Sequence, residues 1–244
     1  MGKDGSRPGA EAPLPLIDAD AYERRERVFG RRIGKPLRGR QQTLIETRLQ
    51  SLSIPSEGAL DLSALFPNAK QFAFEVGFGG GEHLAGQAQA HPDWGFIGCE
   101  PFINGAAKLV VQIVDGDLPN IKLHVGDARE VLPRLPAASL AAFYILFPDP
   151  WPKVRHHKRR FVNAKNLQEI ARVLAPGGEL RIATDIMDYA CWSLAQLMHD
   201  PAFRWSAEQA QDWRNRPGDW PETRYEKKAI KDGRQPVYLR FIRL

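Results

Sequence analysis

From Gln71 onward, short apolar runs rich in β-branched and aromatic residues alternate with stretches whose apolar residues recur at helical spacing. The runs at 72–76, 95–99, 121–125, 141–147 and 179–184 have the length and composition of buried strands. Between them, 82–91, 103–114, a short stretch at 129–132, and 161–174 predict helices, the last stopped by Pro176-Gly177-Gly178. Strand and helix in alternation predict an α/β domain, a doubly wound and mostly parallel sheet with helices on both faces. The C-terminus breaks the pattern. Residues 237–244 form one more strand-like run behind Lys231-Asp232-Gly233-Arg234, a turn signal that predicts an antiparallel edge hairpin.

Upstream of this pattern, residues 1–20 read as a disordered tail and 21–66 as a basic N-terminal extension, leaving 67–244 as the main domain. The first fifteen residues are rich in Gly, Pro and Ala and lack the apolar core of a signal peptide. No run of about 18 or more apolar residues predicts a membrane span. The two cysteines, Cys99 and Cys191, have neither metal-ligand spacing nor the density of a disulfide framework, so no metal is expected. A cytoplasmic protein is the expectation.

Charge changes the picture more than composition does. The formal net charge of +5 is unevenly spread. Between Tyr22 and Arg40, eight bases stand against Glu23 and Glu26; between Lys153 and Arg160, five stand against no acid. A third group of five, from Arg224 to Arg234, meets Glu226 and Asp232. Basic clusters on an otherwise acidic body are the footprint of a polyanion partner, provided folding brings them together. Taken singly, each also reads as a solvated face.

Open α/β sheets bind ligands beyond the carboxyl ends of their strands, so the residues there carry the candidate chemistry. The first strand leads into Glu75-Val76-Gly77-Phe78-Gly79-Gly80-Gly81-Glu82, a loop whose glycines allow a ligand close to the backbone. A dinucleotide fingerprint needs a small residue where Glu82 stands, and Glu75 and Glu82 would repel a pyrophosphate. S-adenosylmethionine carries no phosphate, only an ammonium and a sulfonium, and tolerates carboxylates. Glu100 follows the second strand, at the distance from the loop where such sheets place the acid that meets ribose hydroxyls. Asp127 follows the third, either to accept from an adenine amino group or to cap the helix at Ala128. The fourth ends in Phe147-Pro148-Asp149-Pro150-Trp151-Pro152-Lys153, a stiff loop holding Asp149 and Trp151, with the basic run directly behind it.

At these strings the chain resembles the bacterial tRNA (guanine-N7-)-methyltransferase family, over roughly residues 29–244. Gly98-Cys99-Glu100-Pro101-Phe102 and Thr223-Arg224-Tyr225-Glu226 add to the likeness, and the Pro-Asp-Pro-Trp-Pro-Lys string is its most specific part. The resemblance implies a Rossmann-like class I methyltransferase with a seven-stranded sheet, S-adenosyl-L-methionine as cofactor and tRNA as partner, working as monomer or homodimer with no obligate protein partner. It implies a cofactor site of Glu75, Gly77, Gly79, Gly81, Glu100, Asp127 and Asp149, with Asp149 also catalytic. It implies an RNA surface of Lys153, Asp185, Thr223, Arg224, Tyr225 and Glu226, to which the basic run adds Arg155, Arg159 and Arg160. Asp185 has a second reading as the N-cap of the helix after the fifth strand. Two other functions remain open on the residues: methylation of an amino group, which a Pro-flanked Asp also suits, and RNA binding without catalysis.

Overall fold

The computed structural model describes residues 34–244; the 1–20 tail and the first part of the basic extension lie outside the described residues. Among the described residues, two helices, α1 (Arg40–Leu52) and α2 (Leu62–Leu65), precede the sheet. The alternating core then runs β1 (Gln71–Val76), α3 (Glu82–Ala90), β2 (Trp94–Cys99), α4 (Ile103–Asp115), β3 (Ile121–His124), α5 (Ala128–Val131), β4 (Leu140–Leu146). It continues with α6 (Ala164–Val173), β5 (Leu174–Thr184), α7 (Met187–Met198), β6 (Phe203–Trp205), α8 (Gln211–Arg214), α9 (Arg224–Lys231) and β7 (Val237–Arg243). Among the described residues the sheet has seven strands in the order β3-β2-β1-β4-β5-β7-β6. The first five are parallel, and β7 is antiparallel to both β5 and β6.

The period-2 alternation of the strands divides the core into two faces. Phe74, Ile97, Phe143, Ile145, Leu180, Ile182, Leu239 and Phe241 pack against α6 and α7, together with Leu62 and Phe66 from the segment ahead of the sheet. Ala73, Phe96, Ala142, Tyr144 and Tyr238 pack against α3 and α4, with α1 contributing Leu44, Ile45, Leu49 and Leu52 at the margin. Burial of both faces is what makes these strands read as unbroken apolar runs.

The C-terminal strands are antiparallel as expected, but no hairpin joins them. Lys231-Asp232-Gly233-Arg234 closes α9 instead: Asp232 N donates to Lys228 O at 2.9 Å, and Gly233, at φ 74°, donates to Ile230 O at 3.0 Å. The edge strand is β6, three residues long and too short to stand out in the sequence. Pro176-Gly177-Gly178 does stop the preceding helix, and it does so inside β5, where the pairing with β4 skips from Leu140↔Leu174 to Ala142↔Glu179. No helix among the described residues is long and apolar enough to cross a membrane.

Candidate active site

Strand order reverses between β1 and β4, so the loops after these two strands face a crevice at the carboxyl edge of the sheet. After β1, Gly77, Gly79 and Gly81 have φ of 66°, 58° and 82°, values that a side chain would strain. One face of α4 presses on this loop from behind. A Cβ at Gly105 would stand 2.2 Å from the Gly79 carbonyl oxygen, Leu109 fills the space beside Gly81, and Gln112 Nε2 donates to Gly80 O at 2.6 Å. These positions are four and three residues apart, the spacing of one helix face. On the opposite side, a Cβ at Gly77 would meet nothing within 4 Å, so the loop borders open space.

Glu100, just beyond β2, ties the loop to the next strand. Its Oε2 accepts from Gly79 N at 2.7 Å and its Oε1 from Phe102 N at 2.9 Å. Burial pushes this carboxyl above its ordinary value, the two backbone donors pull it back, and the nearby Asp149 charge pushes it up again. The neighbouring Arg224 lowers it. Glu100, Asp149 and Arg224 thus share one electrostatic environment although they come from three separate stretches of chain.

The loop after β4 is strained. Phe147 and Trp151, on either side of Pro148-Asp149-Pro150, have φ of 49° and 43°, a region that costs a bulky residue of order 1–3 kcal/mol. Asp149 is exposed beyond the end of β4, and the desolvation it still suffers raises its carboxyl above its ordinary value. The basic run forms a 3-10 turn, Val154–Arg159, that leaves Lys153, Arg155 and Lys158 exposed. The Arg159 guanidinium lies 5.0 Å from the centre of the Trp151 ring, and His156 meets that ring edge-on at 5.9 Å.

Several expected site residues face inward. Glu75 is only 2% exposed; its Oε2 is 2.7 Å from His83 Nδ1, and His83 packs edge-on against Tyr144 at 4.8 Å. Asp127 takes the capping option, accepting from Arg129 N at 2.9 Å and pairing with the Arg129 guanidinium at 2.5 Å. Thr223 caps α9 by accepting from Glu226 N at 3.2 Å. Glu226 is buried between Arg216 Nε, at 2.9 Å, and the Tyr238 hydroxyl, which donates at 2.6 Å. Arg160 is 1% exposed. Asp185 pairs with Arg234 at 2.6 Å, and Ile186, not Asp185, is the N-cap of α7.

The outward pair of that C-terminal element reaches the crevice. Tyr225 stacks on Phe147 with centroids 6.5 Å apart and covers Gly79, while Arg224 Nε lies 3.7 Å from Glu82. The start of the described chain also arrives there: Gly34 N donates to Asn104 Oδ1 at 2.8 Å, and Asn104 Nδ2 donates to Lys35 O at 2.7 Å, one residue before Gly105. Lys35, the 153–160 turn and Arg224 therefore lie at one edge of the sheet. Sequence reasoning missed Gly105, Gln112 and His83, and the pairing of Arg234 with Asp185, all of which depend on contacts across the fold. Gly105→Ala is expected to cost about 1–2 kcal/mol of stability by overpacking, read as a lowered Tm. Gly218→Ala, with open space around its Cβ, should leave Tm unchanged.

Comparison with known proteins agrees with this geometry. A family model described as "Putative methyltransferase" matches residues 69–239. A protein of Rhodospirillum rubrum named tRNA (guanine-N(7)-)-methyltransferase is 50% identical over 89% of this chain and 88% of its own. A protein of the same name from Nitrobacter hamburgensis is 51% identical over 88% and 86%. One from Rhodopseudomonas palustris is 46% identical over 100% and 99%. Among solved structures, the 16S rRNA methyltransferase KamB superposes with a TM-score of 0.53 at 14% identity, over 77% of this chain and 96% of that one, a likeness of fold. Fold, crevice and relatives agree: the chain belongs to the tRNA (guanine-N(7)-)-methyltransferase family.

Proposed function

We propose that this methyltransferase carries the methyl group of S-adenosylmethionine to N7 of a guanine in the variable loop of tRNA. The observation that carries the reading is the meeting, at the strand-order reversal, of a glycine loop fastened to Glu100 with a strained loop bearing Asp149 beside exposed bases. The residues present suit the cofactor. Gly77 borders open space, and the carboxylates of Glu100 and Asp149 offer acceptors and negative charge to a ligand rich in donors and cationic at two points.

S-adenosylmethionine, when bound, supplies an electrophilic methyl on a sulfonium. Glu100 accepts from the ribose hydroxyls with the lone pairs that Gly79 and Phe102 leave free, and Gly77, Gly79 and Gly81 let the backbone lie against the cofactor. Glu75 supports the loop from beneath, through the first turn of α3, and Asp127 holds α5 at the rim. Guanine N7 already presents an in-plane lone pair and has no proton to lose, so alignment rather than base catalysis is the main task. Asp149 accepts from guanine N1–H and the 2-amino group, and its charge balances the positive charge that passes onto the purine. The strain around it keeps the carboxylate aimed. Asp185 meets the RNA once Arg234 yields, with Thr223 and Glu226 fixing Arg224 and Tyr225 at the crevice.

Lys153, Arg155 and Arg159 contact tRNA phosphates. Lys153→Ala and Arg155→Ala are each expected to weaken tRNA binding and to flatten the slope of log affinity against log salt by about 0.7–0.9. An unchanged slope would make the turn a solvated face. Calorimetry with S-adenosylmethionine separates the enzyme from an RNA-binding module: the protein binds the cofactor under the first reading. Intact tRNA binding without cofactor binding would favour the second.

A further inference from the structure

Arg160 closes the basic run, yet its surroundings are those of a buried clamp. Its Nε donates to the Pro150 carbonyl at 2.9 Å, and its Nη2 pairs with Asp188 in the first turn of α7. The guanidinium carbon lies 5.1 Å from the centre of the Trp192 ring and 5.5 Å from that of Tyr189. Both aromatic residues are in turn tied to the chain just past Arg160: Trp192 Nε1 donates to Val162 O at 2.6 Å, and the Tyr189 hydroxyl accepts from Val162 N at 3.3 Å. Among the described residues Arg160 is the largest fully buried side chain, and no face of it is open to a phosphate.

What the clamp grips is informative. Pro150 is the residue directly after Asp149, and the peptide it belongs to lies between Phe147 and Trp151, both held at positive φ. Strained backbone persists only where its surroundings over-determine it. Proline removes the loop's own donors at 148, 150 and 152, so the loop cannot brace itself with backbone N–H groups at those positions. The brace has to come from outside. A flat guanidinium suits it because it can lie against aromatic rings and still donate in its own plane in two directions, which an ammonium cannot do.

We propose that Arg160 is a positioning residue, a buried guanidinium packed over the Tyr189 and Trp192 rings that holds the Pro150 carbonyl and thereby fixes the Asp149 carboxylate against the crevice. The proposal rests on the role given to Asp149 above, but the clamp itself can be read without turnover. Arg160→Lys keeps the charge and loses the fork. Hydrogen exchange of the 147–153 segment should quicken in this variant and not in Asp149→Asn, which leaves the clamp intact. The single-turnover methylation rate at saturating tRNA should fall by roughly 10-fold, with tRNA affinity and its salt slope close to wild type. Asp188→Asn, which removes the charge of one exposed anchor but keeps an acceptor, should give a smaller change of the same kind and guards against a folding defect in the first variant.

Unchanged exchange in the loop would overturn the proposal. So would a flattened salt slope with an intact saturating rate, since that is the signature of a phosphate contact. Faster exchange with a wild-type rate would uphold the clamp on the loop and refute the role assigned to Asp149.

Discussion

Replacing Asp149 with alanine is expected to slow methyl transfer in a single turnover by about 10²–10³-fold, because one preorganised electrostatic partner of the transition state is lost. tRNA affinity should change far less, since the proposed phosphate contacts are made by other side chains. Asp149→Asn divides the effect: it keeps size and one acceptor but removes charge. A rate close to that of Ala assigns the loss to charge; a rate near wild type assigns it to shape and hydrogen bonding. Stability should move the other way. Desolvation raises the Asp149 carboxyl in the folded protein, so the wild type loses stability as pH rises through the carboxylate range, and the Asn variant does not. The slow variant is therefore expected to be at least as stable at neutral pH, as measured by Tm. The wild-type rate should be flat between about pH 6 and 8, because N7 needs no deprotonation. A unit-slope rise there, abolished in Asp149→Asn, would point to a group that must shed a proton, such as an exocyclic amine.

Glu100→Ala should weaken S-adenosylmethionine binding by on the order of 1.5–3 kcal/mol, the range for hydrogen bonds to a charged group, which is more than tenfold in Kd. Two losses add. The cofactor loses its acceptor, and the Gly79 and Phe102 amides lose theirs, which loosens the loop at the point where α4 presses on it. tRNA affinity measured without cofactor should hold. Burial raises the Glu100 carboxyl, so wild-type cofactor affinity should begin to fall at a higher pH, on acidification, than for an ordinary glutamate. Calorimetric titrations at two or three pH values read both effects. Unchanged affinity in the variant would remove Glu100 from the site.

Much of the fold was legible because both faces of the sheet are buried, which leaves unbroken apolar runs bounded by glycine and proline. The same physics explains what was not. A three-residue edge strand such as Phe203–Trp205 carries no period, and Lys231 to Arg234 offers turn chemistry that a helix end uses as readily as a hairpin. For the site, residue type and position after a strand pointed to Glu100 and Asp149, which the fold places beyond β2 and β4 in one electrostatic environment, since strand ends fix where the backbone emerges. Direction was not legible. Glu75, Arg160 and Glu226 sit in motifs yet turn inward, toward partners outside those motifs: His83, Asp188, Tyr189, Trp192, Arg216 and Tyr238. A basic run does not announce which of its members is the buried one.

The identity of the methylated atom can be read directly. Purified protein, S-adenosylmethionine labelled on the methyl group and unmodified tRNA should be reacted together, and the tRNA digested to nucleosides for mass analysis. Label in N7-methylguanosine, located in the variable loop, is the result this account predicts. Label in a methylated exocyclic amine, or none in RNA although the protein binds both partners, would contradict it.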